Sequence, residues 1–84
     1  MAVRPELTPN PNALKFSVGR ETGGPKTFVK GMDEGDPLAT ALLELEGVVS
    51  VFMTADFVTL TKAPTSEWSE IKGPAQEILE QHFG

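Results

Sequence analysis

The sequence contains no cysteine and no tyrosine, a single histidine, and seven lysines and arginines against twelve aspartates and glutamates in 84 residues. Without cysteine, disulfides, thiolate nucleophiles and cysteine-ligated zinc or iron–sulfur centres are excluded within the chain. Its absence also accords with a reducing cytoplasm. A net charge of −5 lacks the electrostatic footprint of a nucleic-acid binder. No apolar run approaches the ~20 residues of a membrane span, and the start, MAVRPELTPNPN, has no apolar signal core. These absences predict a cytoplasmic protein that engages neither nucleic acid nor membrane. Its length fits one domain with a single modest core.

Catalytic groups are equally scarce. A nucleophile–base pair needs a base, and His82, two residues from the end, reads as a helix terminus. No serine or threonine stands in a recognisable nucleophile context, so no enzyme activity is expected. Glu67, Glu70, Glu77 and Glu80 recur as a charged stripe, which reads as a solvated helix face. Asp33, Glu34 and Asp36 lie close in sequence but lack the ligand pattern of a calcium loop. The alternative that carboxylates hold iron rests on the preference of hard ions for oxygen, and no spacing specifies a site. No cofactor or metal site is expected in this chain.

What the sequence does have centres on Gly47–Lys62. Two β-branched, aromatic-rich runs, Val48–Met53 and Phe57–Thr61, flank the short Thr54-Ala55-Asp56 and read as an antiparallel hairpin. Side chains alternate across a strand, so Val49, Val51, Met53, Val58 and Leu60 should face a core. Val48, Ser50, Phe52, Phe57, Thr59 and Thr61 fall on the opposite face, open to water or to a partner. Phe52 and Phe57 are what a solvated face would not need. They make a candidate partner-binding site with Thr59, and with Lys15 and Lys62 at its rim. The bland alternative is that both rings tuck against the N-terminal segment or the Gly19–Lys26 loop.

Residues 1 to 12, punctuated by Pro5, Pro9 and Pro11, read as a lead-in segment, or alternatively as a shaped loop at TPNPN. Residues 13–18 alternate as a half-buried strand, and 26–30 form a shorter one. Asp36-Pro37 is an N-cap with proline at the first helical position. A helix over 37–45 follows, ended by Gly47 in a left-handed cap. A second helix over 66–81, capped by Thr65 or Ser66, should kink or break at Gly73-Pro74. The expected core is Leu14, Phe16, Leu38, Leu42, Leu45, Val49, Val51, Val58, Leu60, Trp68, Ile71 and Ile78. The order β-β-α-β-β-α gives an α+β, two-layer sandwich. It should be a mostly antiparallel four-stranded sheet with both helices on one face.

Three segments together resemble a known family. TPNPNALKF (8–16), DPLATALLELEGVVSVFMTADFVTLTK (36–62) and the W-x-x-I-K-x-P spacing of Trp68, Ile71, Lys72 and Pro74 are similar to the N-terminal domain of Nfu/NifU-type iron–sulfur scaffold proteins. Leu43 stands where the family often has phenylalanine, and Met53-Thr54-Ala55 replaces a more aromatic, glycine-bearing hairpin tip. Full-length members carry their cluster on a C-x-x-C pair in a separate C-terminal domain. The resemblance therefore implies an accessory or interaction module, with any cluster held elsewhere. The implied partner is an iron–sulfur scaffold, carrier or apo-target protein, met by a monomer. The chain is either free-standing or a fragment of a longer protein, and its start and untagged ends favour the former.

Overall fold

The computed structural model describes residues 3–30 and 37–83. Five strands and two helices follow in the order β1 (Arg4–Leu7), β2 (Ala13–Ser17), β3 (Lys26–Val29), α1 (Pro37–Leu43), β4 (Val48–Thr54), β5 (Phe57–Lys62) and α2 (Trp68–Phe83). The strands form one antiparallel sheet in the order β1-β2-β5-β4-β3. The α+β class and the hairpin are as expected, and the sheet has one strand more than the four expected. Asp36, the Gly31–Gly35 break and the Asp33, Glu34 and Asp36 carboxylates lie outside the described residues.

The additional strand is β1, in the segment read as a lead-in. It pairs with β2 from Arg4 opposite Ser17 to Leu7 opposite Leu14. Proline lacks an N–H, so a strand containing Pro5 belongs at a sheet edge, and β1 is an edge. Its four residues are mostly exposed, Leu7 to 90%, so no hydrophobic alternation announces it.

The inward residues of the strands are Leu14 and Phe16 on β2, Phe28 on β3, Val48, Val51 and Met53 on β4, and Val58 and Leu60 on β5. They form one core with Leu38, Ala39, Leu42 and Leu43 of α1 and Ile71, Ala75, Leu79 and Phe83 of α2. Both helices thus cover the same side of the sheet. Phe16, Leu42, Leu60 and Leu79 are wholly buried, and burying a side chain of that size stabilises by roughly 1.5–3 kcal/mol. Leu45, Trp68 and Ile78 are half-buried against this core.

Val49 departs from the expectation. It is 37% exposed, whereas Val48, assigned to the open face, is fully buried. The register shows the cause. Val51 pairs with Leu60 and Ser50 with Thr61, but Val48 pairs with Lys62, so β4 bulges at Val49. One extra residue inverts the alternation beyond it.

Gly47 takes φ +96°, as a left-handed cap requires, and a Cβ there would overlap the Ser66 side chain. The helix ahead of it is shorter than expected, ending at Leu43. Helix α2 begins at Trp68, after a turn closed by the Ser66 N–H on the Ala63 carbonyl (3.0 Å), and runs to Phe83 without interruption at Pro74. Proline deprives only the carbonyl four residues earlier, that of Glu70, of its helical partner. Glu70 is exposed, so water can take that place. The last turn is kept because Phe83 docks into the core at 9% exposure.

Candidate functional site

The uncovered side of the sheet is laid out by strand register. Glu6, Lys15, Thr59, Phe52 and Thr27 form one cross-strand row, and Arg4, Ser17, Phe57 and Thr54 the row beside it. Ala13, Thr61, Ser50 and Val29 form a third. Hydroxyls dominate this face, with two phenylalanines among them. Phe52 and Phe57 occupy diagonal positions across the hairpin, a spacing of roughly 7–8 Å.

The two rings are not equivalent. Phe52 is 39% exposed. Phe57 is half-buried, and the Lys15 ammonium sits 4.8 Å from its ring centroid. A cation over a ring face is attracted by the ring quadrupole. The same ammonium lies 3.5 Å from a Glu6 carboxylate oxygen. Lys15 therefore covers Phe57 and leaves Phe52 as the open ring, with Thr59 directly opposite it.

Lys62 does not lie at the rim of this face. It shares parity with Val58 and Leu60, and is 9% exposed on the helix side. Its ammonium donates to Asn12 Oδ1 (3.2 Å) and to the Ala63 carbonyl (3.4 Å). Its position two residues from Leu60 already carries this information.

Those bonds belong to a cluster that joins the separate motifs. The single Thr8 hydroxyl proton is shared between the carbonyls of Asn10 and Ala13, 2.8 and 2.9 Å from Oγ1, and the oxygen accepts from the Asn10 N–H. Asn10 Oδ1 accepts from the Asn12 N–H (2.9 Å), an Asx turn. The Asn12 carbonyl accepts from the Lys62 N–H (2.8 Å). Trp68 Nε1 donates to the Pro11 carbonyl (3.1 Å). TPNPN is thus a shaped loop clamped between the end of β5 and the start of α2. It lies where both helix and sheet need a connector, and its residues are spent on one another.

The second loop rises along the hairpin tip. The Val18 N–H donates to the Asp56 carbonyl, and the Thr22 N–H and Oγ1 donate to that of Ala55, at 2.9, 2.9 and 3.2 Å. Ala55 takes φ +50° in this two-residue turn. The loop packs on the tip, and Phe52 remains open.

Among the described residues the carboxylates do not converge. Glu67, just ahead of α2, and Glu70 and Glu77 along it are exposed, and Glu80 accepts from Gln76 Nε2 at 3.2 Å. Among the described residues no three of His, Cys, Asp and Glu come together to hold a metal ion. His82 stacks edge-on against Phe83, with centroids 4.7 Å apart, and serves the helix terminus. No helix among the described residues is long and apolar enough to cross a membrane.

Residues 3–84 match the family described as scaffold protein Nfu/NifU N terminal. A NifU-like protein of Schizosaccharomyces pombe is 36% identical over 96% of this chain and 33% of its own length. A Drosophila ananassae protein named NFU1 iron-sulfur cluster scaffold homolog, mitochondrial, is 39% identical over 99% of this chain and 30% of its own. The chain therefore spans about a third of the length of these curated relatives. Among solved structures, a NifU-like protein of Saccharomyces cerevisiae superposes with a TM-score of 0.77 at 28% identity, over 94% of this chain and 75% of that one. A Staphylococcus aureus protein superposes at 0.81 and 25%, over 93% and 98%.

Proposed function

Because the chain belongs to the family of Nfu/NifU scaffold N-terminal domains, we propose that it is a non-catalytic interaction module in iron–sulfur cluster assembly or delivery. It would recognise a scaffold, carrier or apo-target protein while the cluster is held by thiolates elsewhere. The observation that carries this reading is Phe52, a large ring 39% exposed on a sheet face that neither helix covers. Aromatic residues are enriched at interface centres and among the residues that dominate binding energy. Thr59 and Phe57 beside it would supply further contact, and Lys15 would hold Phe57 in place and mark the edge. Lys62 is reassigned from partner contact to support of the TPNPN loop.

In this reading the domain acts as a monomer and carries no resident cofactor. The cytoplasmic location stays part of the proposal; the word mitochondrial in the names of the fly relatives makes cell fractionation the direct check. The function itself is tested by affinity capture from the native cell with wild-type and Phe52→Ala baits in parallel. Iron–sulfur scaffolds, carriers or apo-targets should be enriched on the wild type and lost on the variant. Equal recovery on both baits, or recovery of no iron–sulfur protein, would reject it.

A further inference from the structure

We propose that the partner engages this domain as an extended, acid-flanked segment that adds to the free edge of β3 as a sixth strand. The inference rests on the reading of the domain as an interaction module and names the chemistry of what it binds. Four observations meet at this edge. First, β3 ends the sheet and pairs on one side only, with β4. The Lys30 N–H donates to the Val49 carbonyl (2.9 Å). Alternation in an antiparallel ladder then points the N–H and C=O groups of Thr27 and Val29 away from β4. The opposite edge, β1, contains Pro5, which removes a donor there.

Second, among the described residues three of the four large exposed apolar side chains gather at this end of the sheet. They are Val29 (41%), Val49 and Phe52. Thr27 is opposite Phe52 and Val29 opposite Ser50, so a strand laid on β3 would place alternate side chains beside these residues. Third, the bulge at Val49 is what turns that valine outward. Fourth, Lys26 and Lys30 stand at the two ends of the strand, exposed, roughly 13 Å apart at about 3.3 Å per residue. Among the described residues neither side-chain ammonium has an ion-pair or hydrogen-bond partner. Two unpaired cations bracketing an apolar edge, in a chain of net charge −5, are complementary to a segment with carboxylates at its ends. Edge lysines also deter indiscriminate pairing, so the same residues reject neutral and basic strands while admitting an acidic one. Strand addition takes affinity from main-chain hydrogen bonds and specificity from alternate side chains.

The test titrates the 15N-labelled chain with a short synthetic peptide of alternating valine and threonine, flanked by glutamates. An identical peptide flanked by arginines serves as control. Slowed amide exchange at Thr27 and Val29, with shifts at Phe52, is expected for the glutamate peptide alone. Val29→Pro removes an outward N–H and no bond within the sheet, so it should fold normally and abolish binding. The double variant Lys26→Glu, Lys30→Glu leaves the backbone edge intact and should weaken binding by about tenfold. A flat titration, equal binding of the arginine peptide, or shifts at Phe52 without protection of Thr27 and Val29 would overturn strand addition. The capture experiment with Phe52→Ala would stand unaffected by that failure, whereas its own failure would remove the open face and leave the β3 edge to be judged by the peptide.

Discussion

The indole N–H of Trp68 donates to the main-chain carbonyl of Pro11 at 3.1 Å. The contact spans 57 positions of sequence and pins the first residue of α2 to the loop before β2. Trp68→Phe keeps most of the apolar body and deletes the donor. Denaturant unfolding should show a loss of about 0.5–1.5 kcal/mol. Lys62→Met, which frees Asn12 from the other side of the same loop, should cost about 1–3 kcal/mol, since its bonds are charge-assisted. Unchanged stability in both variants would mean that the loop is not held by these groups.

The bulge in β4 makes adjacent valines unequal. Val48→Ala opens space in a fully buried site and should lose about 1–3 kcal/mol. Val49→Thr alters an exposed residue and should stay within about 0.5 kcal/mol. The strict alternation read from the sequence requires the reverse order, so the pair of measurements decides the register.

The hairpin tip carries a local strain that glycine would relieve. Ala55 sits at φ +50°, a region where a side chain costs roughly 1–2 kcal/mol. Part of that relief is offset by the larger entropy glycine loses on folding. Ala55→Gly should therefore stabilise by about 0.5–1 kcal/mol, seen as a higher denaturant midpoint with unchanged slope. A destabilised variant would show that the tip is held by something other than backbone preference.

Anaerobic reconstitution with iron and sulfide should leave the chain colourless. Iron–sulfur clusters are held by thiolates, with histidine as an occasional substitute, and the sequence offers no cysteine and one histidine. Retention of stoichiometric sulfide with visible absorbance after desalting would contradict the assignment of the cluster to another domain.

Much of this fold is legible in residue order because its strands are long enough to alternate. Leu14, Phe16, Val51, Val58 and Leu60 are buried as periodicity requires. β1 was hidden because a four-residue edge strand has no buried stripe to display. Val49 escapes simple alternation because a bulge is a property of two strands in register, and neither strand alone reveals it. The break expected at Pro74 assumed that a lost helical bond must distort the helix, but the carbonyl concerned is on an exposed residue. The open-face positions of Phe52, Phe57, Thr59 and Lys15 can be read by parity. Their inequality cannot be, because the placement of Lys15 over Phe57 is a contact between strands distant in sequence.

The most direct test of the interaction-module account compares Phe52→Ala and Phe57→Ala for unfolding and for binding. The ligand is the iron–sulfur protein most strongly captured by the wild-type domain, and binding is read by calorimetry. Phe52→Ala should weaken binding by about 2 kcal/mol or more, roughly 30-fold. Its stability should change by less than about 1 kcal/mol, well below the ~3–5 kcal/mol of a core phenylalanine. Phe57→Ala should cost more stability, because it is half-buried beneath the Lys15 ammonium. A well-folded Phe52→Ala that binds as tightly as the wild type would contradict the account.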